Sequence, residues 1–212
     1  MDNRINHNGH EKRELHIYFI RHGFTKGNEE GRYVGRTDEP LSETGREKLK
    51  IISDNAKNMV PDVILVSPMK RCVETAQILF PNRECTIVDD FRECDFGQFE
   101  YRNYSELNGT LEYQQFIDSN GMTGFPGGES PNLFRSRCQK AFLEAVDKLK
   151  DQSVVEYVAL VVHGGTIMSI LDGFSEPHRD YFDWQVSNGD GYFGKLILEE
   201  RKVTLLTKLS DI

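Results

Sequence analysis

Apolar residues are grouped in short continuous runs that polar stretches separate. Strands buried on both faces of a parallel sheet have runs of this kind. We therefore predict buried parallel strands at residues 16–20, 63–66, 86–88 and 157–162. Near the C-terminus, residues 193–198 and 203–209 alternate between apolar and polar around a charged turn, which predicts a β-hairpin.

Between these runs, apolar residues recur at the three- and four-residue spacing of a helix face. Ser42 caps a first predicted helix, whose apolar face extends from Leu49 to Met59. Residues 68–80 form a second helix and residues 134–149 a third. Strands that alternate with helices predict an α/β fold, a three-layer sandwich with a mostly parallel central sheet flanked by helices.

The length and the composition favour a single domain. The chain has 212 residues, of which 38% are apolar, enough for a packed core. We predict one domain over residues 15–212, with a polar, partly helical excursion at about 98–130. Residues 1–14 are polar and charged and are predicted to be a disordered lead, with loose packing onto the domain as the alternative.

Charge and cysteine usage restrict the possible partners and location. Lys and Arg number 26 and Asp and Glu 34, a net charge of −8, which disfavours nucleic acid and, taken alone, a phosphorylated ligand. The sequence contains no apolar run long enough to span a membrane and no apolar core of a signal peptide. The four cysteines are widely spaced, which indicates reduced thiols and a cytoplasmic location.

Reactive side chains follow each of the four predicted parallel strands. Arg21 and His22 end the first strand, Arg71 lies in the helix after the second, Glu93 follows the third and His163 ends the fourth. Ligands of open α/β sheets bind beyond the carboxyl ends of the strands. We therefore expect these five side chains to meet at one edge of the sheet.

This set of residues fits phosphoryl transfer through a covalent enzyme intermediate. A neutral imidazole can attack phosphorus, and arginines bind phosphoryl oxygens and keep a neighbouring histidine neutral. A carboxylic acid such as Glu93 can protonate the leaving alkoxide. A helix predicted to begin at Thr166 would add its positive N-terminal dipole.

Four ordered motifs resemble those of the histidine phosphatase (phosphoglycerate mutase-like) superfamily, over residues 15 to about 198. They are Arg-His-Gly at 21–23, Ser-x-x-x-Arg-x-x-x-Thr-Ala at 67–76, Glu-Cys-Asp-Phe-Gly at 93–97 and Val-His-Gly-Gly at 162–165. The Pro-Gly-Gly-Glu-Ser segment at 126–130 is similar to that of the small, α-ribazole-phosphatase-like branch. The resemblance implies a phosphoglycerate mutase-like fold.

The resemblance also implies roles for individual residues. His22 would be the phosphorylated nucleophile and Glu93 the proton donor and acceptor. A phosphate pocket would comprise Arg21, Arg71, His163, Asn28 and the backbone of Gly164. Further substrate contacts are predicted at Thr25, at Arg36 unless it is a solvated surface charge, and at Glu129 unless it orients an arginine. The family uses no metal and no cofactor. Ser67 and Thr75 are read as helix-starting and packing residues.

The resemblance favours a metal-independent phosphomonoester hydrolase that acts on a small phosphorylated metabolite. The alternatives are a phosphoglycerate mutase, whose excursion is longer, and a non-catalytic phospholigand-binding module. A zinc site at His22 and His163 is disfavoured because the nearby arginines repel a cation. Tyr101 stands where the small phosphatases usually carry glycine, which implies a changed backbone or pocket wall. The sequence has no feature that sets an oligomeric state.

Overall fold

The computed structural model describes residues 12–55 and 59–211. Six strands form one sheet in the order β3-β2-β4-β1-β5-β6. β1 pairs with β4, β4 with β2 and β2 with β3 in parallel, whereas β1–β5 and β5–β6 are antiparallel. The predicted mostly parallel α/β sheet is therefore confirmed. The strands are β1 (Glu14–Arg21), β2 (Val63–Val66), β3 (Thr86–Ile87), β4 (Tyr157–Val162), β5 (Gly191–Ile197) and β6 (Lys202–Lys208).

Helices cover both faces of the sheet. In chain order they are α1 (Lys26–Glu29), α2 (Glu43–Asn55), α3 (Lys70–Leu79), α4 (Tyr104–Leu107), α5 (Leu111–Asp118), α6 (Pro131–Asp147) and α7 (Gly164–Phe174). Three predicted helices are present as α2, α3 and α6. Ser42 accepts the amide of Gly45 at 3.0 Å and so caps α2 as predicted. The predicted end of that helix includes residues 56–58, which lie outside the described residues.

Alternate residues of the central strands point into two separate cores. Ile17 and Phe19 of β1 pack with α6 and α7, whereas Ile20 packs with Ala76 and Phe80 of the α3 side. All of these side chains are buried. Burial on both faces is the reason why β1, β2 and β4 are continuous apolar runs.

Two predictions about strands were wrong. The run at residues 86–88 was predicted to be a buried strand, but β3 is a two-residue edge strand whose residues are both exposed. The predicted disordered lead ended at Glu14, but Glu14 pairs with Ile197 in the sheet. Arg13 donates to the carbonyl oxygens of Leu149 (2.9 Å) and Val155 (3.0 Å), which fixes the start of β1. Residues 1–11 lie outside the described residues.

The excursion at about 98–130 contains α4, α5 and a short 3₁₀ helix, Gly97–Phe99. Aromatic rings hold it together: the buried Phe99 contacts Tyr113 and Phe116 of α5, with ring centroids 5.5 and 5.6 Å apart. Tyr101 has φ +60°, so it keeps the left-handed backbone that glycine favours. Its hydroxyl donates to Glu39 Oε2 at 3.1 Å. A tyrosine therefore holds a left-handed backbone at this position, and its side chain is hydrogen-bonded to Glu39.

Candidate active site

The register of the sheet brings three strand ends together. Arg21 at the end of β1 lies opposite Val162 at the end of β4, and Val66 at the end of β2 lies opposite Val161. The next residue along each strand is His22, His163 or Ser67. The ring centroids of His22 and His163 are 5.1 Å apart, and the ring planes make an angle of 67°.

A backbone hydrogen bond determines which nitrogen of His22 is free. Nδ1 lies 2.7 Å from the carbonyl oxygen of Gly23. A carbonyl oxygen only accepts hydrogen bonds, so Nδ1 must carry the proton. In the neutral ring Nε2 then has an unprotonated lone pair.

The surroundings of His22 keep the ring neutral. Burial lowers the pKa of His22 well below its ordinary value, and the charges of Arg71 and Arg21 lower it further. The Gly23 carbonyl opposes these effects but is outweighed. A neutral, correctly oriented imidazole is the form that can attack phosphorus.

Ser67 positions the second histidine. Its Oγ is 2.7 Å from His163 Nε2, and both residues are fully buried. The Cys72 sulfur lies 3.5 Å from the same nitrogen. Burial, together with the charge of Arg71, lowers the pKa of His163 well below its ordinary value, so His163 is a neutral member of the site. The sequence interpretation of Ser67 as a helix-starting residue missed this contact.

Two arginines supply the positive charge of the site. Arg21 Nη1 donates to the Val186 carbonyl at 2.7 Å, and Arg71 donates to the carbonyls of Thr37 (2.8 Å) and Gly35 (2.7 Å). The Nε atoms of both arginines are buried without a hydrogen-bond partner among the described residues. Buried donors are normally paired, so these two N–H groups are free to donate hydrogen bonds to a bound anion.

Glu93 is held by two backbone amides. Its Oε1 accepts from Cys94 N at 2.9 Å and its Oε2 from Gly165 N at 3.2 Å. Burial raises the pKa of Glu93, and this effect outweighs the two amides and the charges of Arg71 and Arg21, which lower it. A raised pKa favours the protonated carboxyl, the form that can donate a proton to a leaving group.

Helix α7 begins directly after the second histidine. Its first residue is Gly164, not Thr166 as predicted, and His163 is its N-cap residue. The first amides of the helix therefore face the same edge of the sheet as Arg21 and His22. A Cβ at Gly165 would overlap Oε1 of Glu93 and lie 3.0 Å from the Phe134 ring. Glycine at this position is what allows Glu93 to approach the helix.

We expect Gly165→Ala to lower kcat/KM for unactivated phosphate esters by about 10- to 100-fold, because the new methyl group displaces Glu93. Gly173→Ala, on the same helix, is the matched control, since the three atoms nearest to its Cβ all belong to the Gln139 side chain and none to Glu93. Steady-state kinetics and thermal unfolding of both variants check this. Equal kinetics for the two variants would contradict it.

A hydrogen-bonded loop supports the backbone around His22. Asn188 Nδ2 donates to the His22 carbonyl (3.2 Å) and to Asn28 Oδ1 (3.1 Å). Thr25 is buried and caps α1 by accepting the amide of Asn28. Thr75 accepts the amide of Gly23 at 3.0 Å. Asn28 therefore lies at the predicted site. Thr25 and Thr75 instead hold the backbone next to His22, since they accept the amides of Asn28 and Gly23.

Two residues predicted to contact substrate, Arg36 and Glu129, are paired with side chains of the protein itself. Arg36 is exposed and pairs with Asp95 at 3.3 Å. Glu129 binds Arg137 through both carboxylate oxygens, at 2.9 and 2.7 Å, so it orients an arginine. Arg137 in turn donates to the Arg92 carbonyl at 3.1 Å, directly before Glu93.

Glu129→Ala is expected to lower the free energy of unfolding by about 1–3 kcal/mol, because Arg137 loses its partner in a largely buried position. Arg36→Ala removes an exposed pair and should change it by less than about 0.5 kcal/mol. Urea unfolding of both variants at pH 7 measures the difference. A similar loss of unfolding free energy in the two variants would show that the Glu129–Arg137 pair stabilises the fold no more than an exposed ion pair does.

These residues open into a cavity of about 660 Å³. Arg21, His22, Asn28, Glu93 and Gly164 line it. The fully buried Arg71 and His163 are not among the described residues that line it. The rest of the lining is mainly apolar and was not predicted from the sequence. It includes Phe96, Phe116, Phe125, Phe134, Met168 and Phe182.

Neither a metal cluster nor a membrane helix is found in the part of the chain that the structure describes. Within residues 12–55 and 59–211, no three His, Cys, Asp or Glu side chains lie close enough to hold a metal ion. In the same ranges, every helix is too short or too polar to cross a membrane.

The fold defines the class, an α/β protein with a mostly parallel sheet, and the carboxyl edge of that sheet carries two neutral histidines, two arginines and a carboxyl group. The chain belongs to branch 1 of the histidine phosphatase superfamily, whose family model matches residues 17–206. The resemblance of the four motifs is thereby confirmed.

Individual relatives carry different names. The chain is 30% identical over 201 residues to a "Probable phosphatase" of Schizosaccharomyces pombe, covering 93% of this chain and 86% of that protein. It is also 30% identical over 137 residues to the "Probable phosphoglycerate mutase GpmB" of Salmonella typhi; this match covers 63% of this chain and 64% of that protein.

A solved structure shows the same fold. The α-ribazole phosphatase of Shigella flexneri superposes with a TM-score of 0.75 at 20% identity, over 90% of this chain and 94% of that chain. This likeness confirms the phosphoglycerate mutase-like fold expected from the motifs.

Proposed function

We propose that the protein hydrolyses phosphate monoesters of small metabolites through a phosphohistidine at His22. The observation that carries the proposal is the state of His22: a neutral ring whose Nε2 is unprotonated because Nδ1 donates to Gly23. Beside it, the unpaired Nε groups of Arg21 and Arg71 can bind phosphoryl oxygens.

The proposed reaction has two steps. In the first, His22 Nε2 attacks phosphorus, the P–O bond to the alcohol breaks, and Glu93 gives its proton to the leaving oxygen. In the second, water attacks the phosphohistidine, the P–N bond breaks, and the Glu93 carboxylate takes the proton of the water. Arg21, Arg71 and the Gly164 amide stabilise the charge of the transferring group, and neutral His163 completes the pocket.

We also infer that the reaction needs no metal and takes place in the cytoplasm. The positive charge that a metal would supply is provided by Arg21 and Arg71, whose guanidinium groups disfavour a cation nearby. Chelation with EDTA is therefore expected to leave the activity unchanged. The free thiols of all four cysteines support a reducing compartment.

Trapping the intermediate tests the proposal. The enzyme is mixed with a ³²P-labelled aryl phosphate and quenched in alkaline denaturant, in which phosphohistidine survives. Trypsin cleaves after Arg21 and Lys26, so we expect the label on peptide 22–26. Label on another peptide, or none during turnover, would overturn the mechanism.

A mutase is the second candidate, because one relative is named a phosphoglycerate mutase. It would return the phosphoryl group from His22 to a sugar acid and not to water. Incubation with 3-phosphoglycerate tests the mutase, which would form the isomer, whereas the hydrolase would form no isomer and would release inorganic phosphate from the esters that it accepts. Against a non-catalytic binding module stands Glu93, since binding alone requires no proton donor.

A further inference from the structure

The cavity beside His22 has a predominantly aromatic wall. We define the apolar chamber by six residues: Phe96, Phe116, Phe125, Phe134, Met168 and Phe182. They come from the excursion, from α6 and α7, and from the 3₁₀ helix Tyr181–Trp184. Since they share one cavity with Arg21, His22 and Gly164, an alcohol esterified to a phosphate held there would contact the apolar chamber.

Ring contacts fix much of this wall in place. Phe125 contacts Phe96 and Phe116, with centroid distances of 4.8 and 4.9 Å. Behind them the buried Phe99 contacts Phe125 at 5.9 Å. Offset and edge-to-face aromatic packing of this kind holds rings in defined positions. The apolar chamber is therefore preorganised before a ligand enters.

The chamber offers little to an anionic alcohol. Besides Arg21, two described cationic side chains line the cavity, Arg32 and Arg135. Arg32 donates to Glu30 (2.6 Å) and to Glu106 (3.0 Å). Arg135 lies 3.8 Å from Asp172 and stacks over the Tyr181 ring at 4.0 Å.

Both arginines are thus already paired with carboxylates. A substrate carboxylate would compete with Glu30 and Glu106 for Arg32, or with Asp172 for Arg135, and would lose its hydration on entering an apolar wall. An uncharged aromatic group would bury apolar area against Phe116 and Phe182 without either cost. The volume of about 660 Å³ also lies within the range of cavities that hold ring-sized ligands.

We propose that the preferred substrates are phosphate monoesters of an uncharged alcohol that carries an aromatic ring or an equally bulky apolar group. This inference rests on the proposed hydrolase function and names its substrate class. It places phosphorylated sugar acids and phosphorylated amino acids among the poor substrates, because their carboxylates meet paired arginines.

Substrates with the same leaving oxygen test the proposal. 2-Phenylethyl phosphate and ethyl phosphate both release an unactivated primary alcohol and differ only in the phenyl group. Burial of that ring is expected to raise kcat/KM at least about tenfold. O-phosphoserine and 3-phosphoglycerate should be hydrolysed no faster than ethyl phosphate. Equal rates for the first pair, or preference for a carboxylate-bearing ester, would overturn the inference.

Two exposed aromatic residues provide matched variants. Phe182 is 62% exposed and lines the cavity, whereas Tyr104 is 63% exposed and is not one of the described lining residues. We expect Phe182→Ala to lower kcat/KM for 2-phenylethyl phosphate about three- to tenfold, with ethyl phosphate changed less than about twofold. Tyr104→Ala should change neither value. Equal losses on both esters in Phe182→Ala would contradict the chamber.

The two proposals fail in different ways. If the label appears on peptide 22–26 but the phenyl group does not raise kcat/KM, the proposed hydrolase mechanism is supported and the proposed substrate class is wrong. If no ester labels that peptide while phosphate is released, the proposed mechanism is wrong, whichever ester has the highest kcat/KM.

Discussion

His22→Ala is expected to lower kcat/KM for every phosphate monoester by a factor of about 10³ or more, and to abolish labelling of peptide 22–26. The reason is that the variant has no lone pair at the position of Nε2. Arg21 and Arg71 would still bind the phosphate, so Kd for inorganic phosphate should change much less than turnover. Stopped-flow kinetics and calorimetry measure the two quantities.

A second substitution separates chemistry from folding. Because His22 is 3% exposed, alanine leaves a hole and removes the hydrogen bond of the ring to the Gly23 carbonyl. His22→Asn can still donate an amide hydrogen to that carbonyl but cannot form phosphohistidine. Both variants should be inactive. His16→Asn, on the same strand, should keep normal activity. Substantial turnover in His22→Asn would exclude the proposed nucleophile.

The strand ends were predictable because each signal is local. Continuous apolar runs define β1, β2 and β4, and parallel strands bring their carboxyl ends to one edge. The positions of His22 and His163 follow directly. What the runs do not contain is register, and register is what places Ser67 against His163. A serine at the start of a helix is predicted to be a helix cap whether or not a histidine lies opposite, so the sequence does not reveal the contact with His163.

Errors arose where tertiary contacts override local pattern. Three apolar-leaning residues at 86–88 have the composition of a buried strand, yet β3 lies at the sheet edge with both residues exposed. Polar residues 12–14 looked unstructured, yet Arg13 reaches carbonyls near residues 149–155. Pairing across so many residues has no local signature.

The apolar chamber was invisible for a related reason. Phe116, Phe134, Met168 and Phe182 belong to four separate segments, and no local pattern relates one to another. Only folding of the excursion over α6 and α7 gathers them into one wall.

Net charge illustrates the difference between a global sum and a local field. The total of −8 disfavoured a phosphorylated ligand when taken alone. At the site, however, Arg21 and Arg71 are the charged groups, because the low pKa of His22 and of His163 keeps both rings neutral. A cleft concentrates such a field, so a small anion can be captured by a protein that repels a polyanion.

Glu93→Gln is expected to lower kcat/KM for 2-phenylethyl phosphate by about 10²- to 10³-fold, but that for 4-nitrophenyl phosphate by less than about tenfold. An alkoxide needs a proton to leave, whereas nitrophenolate leaves without one. Because kcat/KM covers only the steps up to the phosphoenzyme, the role of Glu93 as a base towards water does not enter. Asp95→Asn, on the same segment, is the control and should affect both esters alike.

The pH dependence gives a second signature of the same carboxyl group. Burial raises the pKa of Glu93, so the acid stays protonated above its usual range, and kcat/KM for the alkyl ester should fall as pH rises through that raised value. The lowered pKa of His22 keeps the nucleophile available as pH falls below about 6.5. At pH values well above the second pKa of both phosphate groups, where both esters are dianions, the ratio of their kcat/KM values is free of substrate ionisation. In Glu93→Gln this ratio should lose its alkaline fall, and a ratio that still falls would assign the proton to a different acid.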